Sequence, residues 1–290
     1  MQIRRLGDVH CTVGEGPLWD VAEQALYFID LLGKKLWRYD PANRTFVHWD
    51  MPEVIGSHAL RESGGSLVAL ETGIYHFDHV TGRLEFLVAP SDLTDRVGFN
   101  DGKVDPCGRF VVGTQARARA DIGPIGAIYS LDQNNNITRI GGPVSVPNGP
   151  CWSPDGRIFY FADSVLHSVF AYDYDLDHGT ISNRRLFADT GKFGGFPDGA
   201  TVDAAGRYWV TIMHAGKIIC YRPNGDIEQV IDTPVSTPTS LMFGGAGLGE
   251  LYFTTIDPTL VGQEAEPGGG GLFVIEGLGA TGLPEKRFAG

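Results

Sequence analysis

The chain has 290 residues, 42% of them hydrophobic, and its 35 acidic against 23 basic side chains give a formal net charge of −12. That balance disfavours nucleic acid or an anionic membrane as a partner, and no stretch approaches the roughly 20 apolar residues of a membrane-spanning helix. Four scattered cysteines with no Cys-x-x-Cys pair, and an N-terminus without the apolar core of a secretory signal, predict small buried thiols in a reducing, cytoplasmic compartment.

In chain order, the stretch Met1-Gln2-Ile3-Arg4-Arg5-Leu6-Gly7 has strand character. It is expected to pair with the last strands of the chain, closing a ring and covering exposed edges. Six similar units come after it. In each, a polar or small residue stands just ahead of an apolar strand pattern. These are Glu15 in Gly-Glu-Gly-Pro, His58 in Gly-Ser-His-Ala, Asn100 in Phe-Asn-Asp-Gly, Asn148 in Pro-Asn-Gly-Pro, Asp198 in Pro-Asp-Gly-Ala and Thr239 in Pro-Thr-Ser-Leu. Their separations, read from the numbering, are 43, 42, 48, 50 and 41 residues. A glycine-bearing turn and a second strand come next, as in Asp105-Pro106-Cys107-Gly108, Pro154-Asp155-Gly156 and Asp203-Ala204-Ala205-Gly206. The third strands alternate aromatic and β-branched residues, as in Lys35-Leu36-Trp37-Arg38-Tyr39-Asp40 and Ala127-Ile128-Tyr129-Ser130-Leu131-Asp132. No long helical period interrupts them. A repeat of roughly 40–50 residues with several strands per unit predicts an all-β fold, a six-bladed β-propeller forming a single domain over residues 1–290.

The first strand of every blade lines a propeller's central channel. Six equivalent positions therefore converge on the axis, bringing two carboxylates, two amides, an imidazole and a hydroxyl to one place. Convergent oxygen ligands suit one hard or borderline divalent cation: Ca²⁺, Mg²⁺, Mn²⁺ or Zn²⁺. Such a cation with open positions can polarise an ester carbonyl, activate water and stabilise an oxyanion. A lone Pro-Asn-Gly or Pro-Asp-Gly is ordinarily only a turn, and Pro154-Asp155-Gly156 and Pro223-Asn224-Gly225 read that way. Asn148 and Asp198 differ from these in their phase within the repeat. Thr239 reads as a channel filler. His58 is assigned to substrate rather than to metal. No Gly-x-Ser-x-Gly elbow is present, which argues against a serine hydrolase.

Four motifs in the same order, Gly-Glu-Gly-Pro at 14–17, Phe-Asn-Asp-Gly-Lys-Val-Asp-Pro at 99–106, Pro-Asn-Gly-Pro at 147–150 and Pro-Asp-Gly at 197–199, resemble the SMP-30/gluconolactonase/regucalcin-like family. The resemblance implies a six-bladed propeller that hydrolyses a sugar (aldono-) lactone with one divalent cation. It implies Glu15, Asn148 and Asp198 as metal ligands, Asp198 also as general base, and Asn100 as a contact to substrate or to a metal-bound water. Two positions depart from the pattern. Relatives carry Arg two residues before the third-unit Asn, where this chain has Gly98, and Glu in the loop after the next strand, where it has Ala118. Arg96, Arg117, Arg119 and His58 are the candidates to replace them. Two alternatives stand beside this reading: a hydrolase of non-sugar lactones or esters on the same metal site, and a non-catalytic metal-binding propeller. The lactone's ring size, the choice of cation and the oligomeric state stay open.

Overall fold

The computed structural model describes residues 1–290. Runs of β-branched and aromatic residues, broken by Gly, Pro and Asp turns, form 24 strands in six four-stranded antiparallel sheets. The short β1 (Gln2–Arg5) comes first. Blade one holds β2 (Gly14–Asp20), β3 (Ala25–Asp30), β4 (Lys35–Asp40) and β5 (Thr45–Asp50). Blade two holds β6 (Ile55–Leu60), β7 (Ser66–Leu70), β8 (Gly73–Phe77) and β9 (Leu84–Val88). Blade three holds β10 (Val97–Val104), β11 (Phe110–Ala116), β12 (Gly126–Leu131) and β13 (Ile137–Val144). Blade four holds β14 (Pro147–Trp152), β15 (Ile158–Asp163), β16 (Ser168–Asp175) and β17 (Thr180–Asp189). Blade five holds β18 (Phe196–Val202), β19 (Tyr208–Met213), β20 (Lys217–Tyr221) and β21 (Ile227–Asp232). Blade six holds β22 (Pro238–Gly244), β23 (Glu250–Thr255) and β24 (Leu272–Glu276), and its outer strand is β1. The expected six-bladed propeller and its closure are both present: Gln2 pairs with Glu276 and Arg5 with Phe273.

Inner strands such as β6 and β14 are buried along their length, whereas the outer β5 leaves four of its six residues exposed. The core lies between neighbouring blades. Tyr160, Ala162 and Val169 of blade four, for instance, join Ala200, Val210 and Ile212 of blade five in one cluster. Removing this apolar surface from water is the main stabilising term, about 25 cal/mol per Å². Three of the four cysteines are buried and all four are free; Cys107, against expectation, is exposed because it sits at a turn. No helix is long and apolar enough to cross a membrane.

Every inner strand carries one residue in excess of its neighbour. In five blades the excess falls between Glu15 and Leu18, Phe99 and Gly102, Asn148 and Cys151, Pro197 and Ala200, and Pro238 and Leu241. In blade two it falls between Ile55 and Ser57, on Gly56. A bulge of this kind bends the strand and re-aims a side chain, and here it recurs at the mouth end of each inner strand. At the other end, residues 277–290 run across the ring. Their backbone bonds reach Leu248, Ala204, Leu60, Glu62 and Gly108 of four blades. Phe288 is fully buried there, and Arg287 pairs with Asp20 of blade one at 2.5 Å.

Candidate functional site

The starts of the inner strands open onto a cavity of about 460 Å³ on the propeller axis. Glu15, Asn100, Asn148, Asp198 and Thr239, five of the six axial residues, line it together. The sixth position is corrected. Gly14 faces Asp30 at the end of β3, and Ile55 faces Leu70 at the end of β7, so the blade-two equivalent of Glu15 is Gly56. Gly56 lines the cavity and His58, two residues further along, does not. A Cβ at position 56 would come within 2.5 Å of the Phe99 carbonyl oxygen, so no larger residue fits that close approach.

His58 is buried, and its Nε2 lies 2.8 Å from the Gly16 carbonyl, to which it donates. Burial pushes its pKa down to about 4, so the ring is neutral at physiological pH. It braces the Glu15–Gly16 turn from behind the cavity lining.

A chain of hydrogen bonds fixes the amides. Asn100 Nδ2 donates to the Pro147 carbonyl at 2.7 Å and to Asn148 Oδ1 at 2.8 Å. Asn148 Nδ2 donates to Ser164 Oγ at 2.9 Å, and Ser164 Oγ donates to the Pro197 carbonyl at 2.6 Å. With both amide hydrogens of Asn100 spent, its oxygen is left to accept, and Asn148 Oδ1 keeps a second lone pair. Ser164 escaped sequence reading. It lies just after β15, away from the repeating axial motif, and only the folded ring shows that it joins blade four to blade five. Thr239 Oγ1 spends its hydrogen on the Gly14 carbonyl at 2.5 Å, in keeping with a filler of the channel.

The electrostatics are unusual. Burial, then the charges of Asp198 and Asp101, hold the Glu15 carboxyl well above the ordinary carboxylate range. Burial, then Asp101, does the same to Asp198. No lysine, arginine or histidine forms an ion pair with either. Asp101 lies beneath them, accepting from Gly102 N and Gly149 N, each at 2.8 Å. Enclosed carboxylates without a counter-charge are costly, and proteins offset that cost by pairing them or by binding metal. No group of three or more His, Cys, Asp or Glu gathers into a metal cluster, so amide oxygens must complete any donor set here. Two carboxylates with two oriented amide oxygens fit a hard divalent cation.

The walls above this floor are different. Leu31, Val54, Leu70, Phe196, Met213 and Ile256 make them largely apolar. They also carry basic groups: Arg117, Arg119 and His214 are in the lining. Arg117 Nη1 donates to Glu71 Oε1 at 2.8 Å, Nη2 donates to the Glu71 carbonyl, and Nε donates to the Val97 carbonyl at 3.1 Å. Its side chain lies across Gly98, where an added Cβ would stand 3.2 Å from Arg117 Cγ. Of the four candidate replacements, Arg117 and Arg119 reach the cavity, and Arg96 and His58 do not.

Residues 13–257 match the family model described as the SMP-30/Gluconolactonase/LRE-like region. The chain is 36% identical over 289 residues to regucalcin from Homo sapiens, covering 97% of this chain and 96% of that protein. Among solved structures, a luciferin-regenerating enzyme superposes with a TM-score of 0.90 at 27% identity, covering 99% of both chains. Regucalcin from Agrobacterium tumefaciens strain C58, described as a calcium-binding protein, shares the fold with a TM-score of 0.91 at 24% identity, over 99% of this chain and 97% of that one.

Proposed function

The chain belongs to the SMP-30/gluconolactonase/LRE-like family, and we propose that it hydrolyses a sugar (aldono-) lactone to the aldonic acid with the help of one divalent cation. The observation that carries this reading is the pair Glu15 and Asp198, enclosed on the cavity floor with no protein cation beside them. Glu15, Asn148 and Asp198 would hold the cation, with Ca²⁺, Zn²⁺, Mn²⁺ or Mg²⁺ as candidates. When bound, it would supply Lewis acidity to the lactone carbonyl and acidify a water molecule.

The remaining work belongs to side chains. Asp198 takes a proton from the attacking water as its oxygen adds to the lactone carbonyl carbon. The ring carbon–oxygen bond then breaks, and Asp198 returns the proton to the departing ring oxygen. Asn100, left with only an acceptor, holds a substrate hydroxyl or the water by its O–H. The apolar upper wall keeps bulk water away and strengthens each polar contact on the floor. Residues 1–290 are read as one domain, because β1 and the C-terminal segment tie both ends of the chain into the ring.

The apolar wall favours one second reading, a lactone without sugar hydroxyls on the same floor. Faster turnover of a simple alkyl lactone than of D-glucono-1,5-lactone would select it. The primary reading is tested by Asp198→Asn, assayed by acid release at saturating Ca²⁺ with circular dichroism as a check on folding. Loss of a general base lowers rates by about 10²–10⁴. A variant that kept most of its turnover would contradict the assignment.

A further inference from the structure

We infer that the lactone carries a second, anionic group (a carboxylate, phosphate or sulfonate), which Arg119 and Arg117 hold at the cavity wall. This rests on the lactonase reading and adds the substrate class.

Charge on the wall runs against the rest of the molecule. The chain as a whole is acidic, at −12, yet the cavity wall gathers Arg117, Arg119 and His214. The acids that line the same cavity are Glu15, Glu71 and Asp198. Glu15 and Asp198 belong to the floor, and Glu71 is bound to Arg117. Nearby Arg96 has Asp121 at 3.6 Å. Arg119 is the arginine on this wall with no carboxylate within ion-pair distance, and it is exposed, near His214, which has none either.

Arg117 is preset for the same task. Its three bonds to Glu71 and the Val97 carbonyl use three of its five N–H groups and lock the guanidinium plane. Two N–H groups remain. Gly98 lets the side chain lie flat against the wall, because any Cβ there would press on it. A fixed planar fork beside an unpaired guanidinium matches a carboxylate, phosphate or sulfonate better than a neutral hydroxyl. The cavity, at about 460 Å³, lies within the usual range for small-molecule sites. A lactone whose ester sits over Glu15, Asn148 and Asp198 would direct an anionic substituent to this wall.

The test compares kcat/KM of the Ca²⁺-loaded protein on four lactones. They are neutral D-glucono-1,5-lactone, 6-phospho-D-glucono-1,5-lactone, D-glucaro-1,4-lactone and 6-deoxy-6-sulfo-D-glucono-1,5-lactone. The last three separate phosphate, carboxylate and sulfonate. At least one should exceed the neutral lactone by about tenfold or more, mainly through KM. Arg119→Glu, an exposed change that leaves the core untouched, should lower the anionic-to-neutral ratio about 10–100-fold, the range of one charge-assisted hydrogen bond, and Arg119→Lys should restore part of it. A neutral lactone that matches or beats all three, or an Arg119→Glu variant with an unchanged ratio, overturns the inference while leaving the lactonase reading intact. Hydrolysis of none of the four overturns the sugar-lactone reading itself.

Discussion

At the residue scale, the candidate site depends on which way its amides point. An asparagine offers a donor and an acceptor at nearly the same place, and only its partners decide between them. Pro147 and Asn148 take both hydrogens of Asn100; Ser164 takes one from Asn148. Ser164→Ala removes the acceptor that orients Asn148 and the hydroxyl that reaches Pro197. Losing an orienting partner of this kind typically costs about 10–100-fold in metal affinity. Calorimetric titration with Ca²⁺ should therefore show a dissociation constant raised about that much. An unchanged value would mean that Asn148 does not depend on Ser164. Sequence made Glu15, Asn100, Asn148 and Asp198 visible, because each repeats at one phase of the blade. Ser164 was hidden as a site residue because its role arises from contacts between blades, which obey no period along the chain.

At the element scale, the inner-strand bulges decide which residue faces the channel. Spacing alone put His58 on the axis at 43 residues from Glu15. The pairing of Ile55 with Leu70 puts Gly56 there instead. A glycine has no side chain to signal its position, so the nearest polar residue drew the assignment. The strand count, blade order and closure by β1 were all legible, since alternation and turn chemistry are local signals. The bulge register is set by how each strand meets its neighbour. The corrected placement makes His58→Ala a test of structure. It removes the donor to the Gly16 carbonyl and empties a buried volume, so it should cost about 1–3 kcal/mol of stability in denaturant unfolding. The ranking of lactone substrates should stay the same. A changed ranking at unchanged stability would return His58 to the pocket.

At the scale of the whole molecule, the ring is closed twice. β1 completes blade six, and residues 277–290 tie five blades together at the far end through Phe288, Arg287 and a series of backbone bonds. Sequence predicted the first closure and missed the second, because Gly277-Leu278-Gly279-Ala280 and the residues from there to Gly290 carry no strand alternation. Such bracing holds five inner-strand ends in fixed relation. That rigidity lets Glu15 and Asp198 stay close despite their like charge. Bringing them together makes sense if a cation arrives to neutralise them. The most direct measurement strips the protein with EDTA and titrates Ca²⁺ back while following both lactone hydrolysis and thermal unfolding. Hydrolysis should be negligible in the stripped protein and recover at one equivalent. Stability should rise by about 2.7 kcal/mol at a hundred times the dissociation constant. Full hydrolysis by the stripped protein, with no change in melting on adding the cation, would contradict the central role given to the cation.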